Sequence, residues 1–124
     1  MARMILVLKS STPVESKDLI PQLLPVLEDL QATIDQLAPA HLSALFRSTP
    51  EGLTLQLFAD VQPQSGGPEL DVVVMSREPM GKGSPVTLRS FERLIELLAT
   101  QAPSLLPIFR SDRDGPLPRQ QAVA

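Results

Sequence analysis

The spacing of apolar side chains changes several times along this chain, and each change marks an element. Met4-Ile5-Leu6-Val7-Leu8 is a continuous apolar run without helical period, followed by the polar Ser10-Ser11-Thr12-Pro13. It predicts a strand buried on both faces. From Ser16 to Ala38, residues Ile20, Leu23, Leu27, Leu30, Ile34 and Leu37 recur at intervals of three and four, the stripe of an amphipathic helix. Ser16 suits its N-cap and Asp18 its first turn. Pro25 would remove a backbone hydrogen bond, so this helix is either kinked there or begins near Gln22, and Pro39 stops it. Residues 39–47 predict a short second helical piece with Leu42, Leu45 and Phe46 facing inward, and 48–52 a turn.

Beyond the turn the period becomes two. Leu53, Leu55, Leu57, Ala59 and Val61 alternate with Thr54, Gln56, Phe58 and Asp60, which marks a half-buried strand. Leu70 to Ser76 follows after a Pro- and Gly-rich connection and is apolar on both faces through Val72, Val73, Val74 and Met75. A second long helix is predicted from Leu88 to Gln101, capped by Thr87, with Leu88, Phe91, Ile95, Leu98 and Ala102 on one face. Leu105 to Phe109 predicts a last strand, confined to a sheet edge by Pro107. One α+β domain over 1–110 is expected, with 111–124 a flexible tail.

The resulting order, β-α-β-β-α-β, resembles the ferredoxin-like split arrangement: a four-stranded antiparallel sheet with two helices on one face. The first and third strands would then be central, which suits their continuous apolarity, and the second and fourth would be edges. Two helices shelter one face only. With Met4, Leu6, Leu8, Leu55, Leu57, Val72 and Val74 turned to the helices, Ile5, Val7, Phe58, Val73 and Met75 must point the other way. Burying such side chains is worth ~1.5–3 kcal/mol each, and left in water they form a patch larger than monomers usually carry. The cover is expected to be a second copy, a protein partner, or this chain's own 39–52 segment or tail.

Composition narrows the function classes. The chain has 124 residues, no Cys, four Phe and no Trp or Tyr, and a formal net charge of −3. Thiolate metal sites and disulfides are excluded. Nucleic acid is disfavoured by the charge and by the lack of rings on the central strands. No apolar run reaches a membrane span or a secretory core, so a cytoplasmic protein without membrane attachment is expected.

Candidate chemistry is sparse. His41 is the single histidine and has no ligand-spaced carboxylate beside it in sequence. Asp60, Glu69 and Asp71 could cluster across a hairpin, but no catalytic motif surrounds them or the serines. Gly81-Lys82-Gly83-Ser84 precedes a helix and could offer backbone donors to an anion, with Lys82, Gly83, Ser84, Thr87 and Arg89 as ligands, although it matches no phosphate-loop spacing. The residues favour a non-enzymatic interaction or regulatory module that needs no cofactor or metal. It would self-associate, as a homodimer, or dock a protein partner through Ile5, Val7, Phe58, Val73 and Met75. Strand addition at the 53–61 edge is a further route. The alternative is a small anionic-ligand sensor, or minor enzyme, with its site at the start of the second helix.

Overall fold

A computed structural model describes residues 1–79 and 83–111. Within them, six strands form one antiparallel sheet: β1 (Ala2–Ser10), β2 (Thr33–Ala38), β3 (His41–Arg47), β4 (Thr54–Gln62), β5 (Glu69–Ser76) and β6 (Leu105–Ser111), in the spatial order β2-β3-β4-β5-β1-β6. Two 3-10 turns, Ser16–Asp18 and Ile20–Leu23, lead into the short helix α1 (Leu24–Asp29), and the long helix α2 (Pro85–Gln101) joins β5 to β6. A six-stranded sheet with one short and one long helix does not fit the four-stranded ferredoxin-like arrangement expected from the sequence. The error lies wholly between residues 16 and 47.

The expected helix over Ser16 to Ala38 stops at Leu30, for a reason visible in the backbone. Gln31 adopts a left-handed conformation (φ 56°). Its N–H donates to the Glu28 carbonyl and that of Ala32 donates to the Leu27 carbonyl. This is a Schellman stop, built on Gln where Gly is usual. Pro21 and Pro25 fall in the first turns of their segments, where the missing N–H costs nothing.

The three-and-four spacing nevertheless continues through Ile34 and Leu37 because β2 contains a bulge. Ile34 pairs with Ala44 and Gln36 with Ser43, so Asp35 is the extra residue. The bulge turns Ile34 and Leu37, three residues apart, to the same side of a strand. The predicted helical piece at 39–47 is β3, with Leu42, Ala44 and Phe46 alternating into the core.

Cross-strand register sets the core. Leu6, Val72, Ala59 and Leu42 form one row across the sheet, and Met4, Val74, Leu57 and Ala44 the next. All eight are buried, beneath Phe91, Leu94 and Leu98 of α2 and Val26 and Leu27 of α1. The seven side chains expected to face the helices do so. One consequence corrects the edge assignment: β4 is paired on both sides, with β3 and β5. The 53–61 strand therefore offers no free edge for strand addition, and the edges are β2 and β6.

Gln31 shares with Ser84 a left-handed backbone that is costly for a non-glycine residue. Gln31→Gly should raise stability by about 0.5 kcal/mol, and Gln31→Val should lower it by about 1 kcal/mol, read from urea midpoints at constant slope. Equal midpoints for all three proteins would show that the stop is not under strain.

Candidate functional site

The face of the sheet away from the helices is ordered by the same register. Its central row is Ile5, Val73, Phe58 and Ser43. On one side lie Arg3, Met75, Gln56 and Leu45; on the other, Val7, Asp71, Asp60 and His41. Beyond these, Lys9 opposes Glu69. Phe109 of β6 stands beside Val7, on the same face. The five residues singled out from the sequence are thus neighbours on one surface. Ile5, Phe58, Val73 and Met75 are half-buried, while Val7 is only 2% exposed. Sequence reasoning missed Leu45, which is 39% exposed, because its segment was read as helical with Leu45 facing inward; Phe109 was not singled out, although its strand and edge position were expected.

The 39–52 segment does not cover this surface, since it forms β3 and the turn that follows, in the plane of the sheet. The tail, 112–124, lies outside the described residues.

The polar border of the face is structured. His41 Nδ1 and Asp60 Oδ1 are 2.7 Å apart, directly across β3 and β4, with both side chains partly exposed. Asp60 in turn opposes Asp71 across β4 and β5. The carboxylates anticipated across the hairpin are therefore adjacent, but on an open sheet surface. Among the described residues, no group of three or more His, Cys, Asp or Glu side chains is placed to hold a metal ion, and no helix is long and apolar enough to cross a membrane.

The start of α2 is different from a vacant anion site. Glu78 lies two residues beyond β5 and folds its carboxylate onto the helix N-terminus. Oε2 accepts the Val86 N–H at 2.9 Å, and Oε1 accepts the Thr87 N–H at 2.7 Å and the Thr87 hydroxyl at 2.6 Å. The single Thr87 hydroxyl proton is committed to Glu78, so Ser76 Oγ must donate across its 2.6 Å contact to Thr87 Oγ1. Ser76 Oγ itself accepts the Glu78 N–H at 3.0 Å. These bonds close a ring from Glu78 through Ser76 and Thr87 back to Glu78, with Ser76 and Thr87 buried.

Of the anion ligands suggested by the sequence, Lys82 lies outside the described residues. Gly83 has φ 76° and Ser84 has φ 48°; the Ser84 hydroxyl donates to the Pro79 carbonyl. Thr87 serves Glu78, and Arg89 forms an ion pair with Glu51. A ligand anion at this helix end would have to displace Glu78.

Burial pushes the Glu78 carboxyl up, but hydrogen bonds from the Thr87 hydroxyl and from the Thr87 and Val86 amides outweigh it. With the nearby Arg89 charge, they hold it below its ordinary value. The sign follows by linkage. A depressed carboxyl contributes stability that is fully present above its unfolded pKa and lost as pH falls through its folded one. Glu78→Gln should therefore cost about 1 kcal/mol at neutral pH, and the gap to the wild type should close in acid, below the ordinary carboxylate range. Denaturant titrations at neutral pH and in acid check this; a gap that does not shrink in acid would mean that the lost interaction is not that of the ionised carboxylate. Compared with known proteins, the chain matches no protein-family model, and no curated protein is significantly similar to it.

Proposed function

We propose that the protein is a non-enzymatic interaction module that self-associates through the open face of its sheet. The observation that carries this reading is the apolar cluster of Ile5, Val73, Phe58 and Met75, with Leu45 beyond Gln56, on the open sheet face and bordered by charges.

The occupant argued for is a second copy of the chain. Sheets pack face to face with strands nearly aligned, about 10 Å apart. A two-fold axis along the Ile5–Val73–Phe58 row stacks that row on itself. It also lays the Arg3-bearing row of one copy over the Asp60 and Asp71 row of the other. Self-complementarity of this kind is what an isologous interface requires, and the charges at its border would fix its register more than its strength. The His41–Asp60 pair supports the same reading. It lies on an open surface with neither walls to exclude water nor a hydrogen-bonded nucleophile, so it suits a polar rim better than acid–base chemistry.

Light scattering coupled to size exclusion tests the proposal. The wild type should show twice the chain mass, and Val73→Glu, which buries a carboxylate at the centre of the contact, should show the monomer mass with an unchanged far-ultraviolet circular dichroism spectrum. Phe58→Ser should weaken association at least tenfold. A wild type that is monomeric from micromolar to millimolar concentration would sink the reading, as would a Val73→Glu protein that still dimerises.

A further inference from the structure

A cleft of about 870 Å³ opens at the end of the sheet remote from the Lys9–Glu69 row. One wall is the end of α1 with Gln31 and Thr33, and the other is the turn after β3, which carries a cis Thr49–Pro50 bond. A smaller space of about 170 Å³ joins it beside α2. Arg47, from the end of β3, and Arg93, from the third turn of α2, line both spaces, as do Leu30 and Phe46. Two guanidinium groups from distant parts of the chain thus border one hollow with an apolar floor.

One carboxylate, Asp29, lines the cleft with them and leaves it net positive. Asp29 accepts a hydrogen bond from Gln101. Glu51 pairs with Arg89, one turn of helix before Arg93. The Glu51 carboxyl is held below its ordinary value, chiefly by Glu51's own backbone N–H and then by Arg89. Among the described residues neither Arg47 nor Arg93 has an ion pair or a side-chain hydrogen bond. Two cations share the hollow with a single carboxylate, and a bound anion balances the remaining positive charge. The planar guanidinium fork matches phosphate and carboxylate oxygens in pairs.

We infer that this cleft binds a small soluble molecule that presents a phosphate or carboxylate to Arg47 and Arg93 and rests an apolar body on Leu30 and Phe46. The site is distinct from the helix N-terminus that Glu78 occupies and uses none of the central row of the open face, although Leu45 borders both; binding here and self-association are read by separate measurements.

The test uses the full-length protein and three probes: inorganic phosphate, phenyl phosphate and phenol. Thermal shift and calorimetry should show phenyl phosphate binding at least tenfold tighter than phosphate, because only it reaches the apolar floor, and phenol without effect. Arg47→Ala and Arg93→Ala should each weaken phenyl phosphate about tenfold, the loss of one charge-assisted contact, and the double variant should abolish the shift. Both arginines are exposed, so the unliganded melting temperature should not change. Arg3→Ala, on the open face, should bind as the wild type does.

The inference is overturned if no phosphate probe shifts the wild type, or if the double variant keeps the shift. It is also overturned if the protein ignores phenyl phosphate yet sediments with phosphatidylcholine vesicles containing phosphatidic acid in an Arg47- and Arg93-dependent manner, which would make a membrane headgroup the ligand.

Discussion

A single helical layer cannot cover both faces of a six-stranded sheet, and most of this structure follows from that limit. Buried side chains lie on the helix side of β1, β3, β4 and β5, in rows that continue from strand to strand. At α1 the layer is only six residues long, and it fails to reach the outermost strand. All six residues of β2 are exposed as a result. Ile34 and Leu37 project on the helix side of that strand, 40% and 57% exposed, because no helix lies above them. The apolar residues of the opposite face are a second result of the same geometry: β1 and β5 are greasy on both sides, and the chain has no second helical layer among its described residues.

The ring of hydrogen bonds around Glu78 shows how the layer is attached. The end of β5 and the start of α2 are joined by a loop that turns through left-handed backbone at Gly83 and Ser84. Beneath it, Ser76 of the strand and Thr87 of the helix meet directly. Glu78 neutralises the positive end of the helix dipole and satisfies two of the amide donors that α2 leaves open. A buried polar network of this kind is favourable because every member has its partner. Cation–π contact between Arg110 of β6 and the Phe91 ring, at 5.5 Å, closes the other flank of the same helix. The helix is thereby held to strands on both sides of β1, which keeps the sheet's helix-facing rows dry.

Period carried a large part of this in the sequence. Alternation placed β4, the unbroken apolar runs placed β1 and β5, and the three-and-four spacing placed α2. The same alternation separates Ile5, Val7, Phe58, Val73 and Met75 from their inward-facing neighbours. The segment from Ser16 to Arg47 defeated the method for physical reasons. A helix stop without glycine, at Gln31, leaves no signal in composition. A bulge at Asp35 then makes strand residues Ile34 and Leu37 repeat at a helical interval. In β3, Leu45 lies between Leu42 and Phe46 and completes a helical pattern, although it faces the opposite side from both. The basic cleft was not legible at all, because Leu30, Arg47 and Arg93 come from three elements and no spacing in the chain relates them. Glu78 was missed because it caps the helix from the far side of a loop, not from the position preceding it.

The two edges of the sheet bear on how the molecule meets others. An unpaired edge is the commonest route to unwanted association, and bulges, charges and proline are the usual protections. Both edges here have them. β2 carries the bulge and the charge of Asp35 at its centre. β6 carries Pro107, and its register with β1 shifts between Val7 and Leu8, leaving Ile108 as the extra residue. A strand added at either side would meet a broken ladder within a few residues. The open face has no such interruption: its central row runs through three adjacent strands in register, and its charges are confined to the rows around it. Where edges are blunted and a face is continuous, the free energy available from association lies in stacking the face. The proposed self-association rests on that stacking.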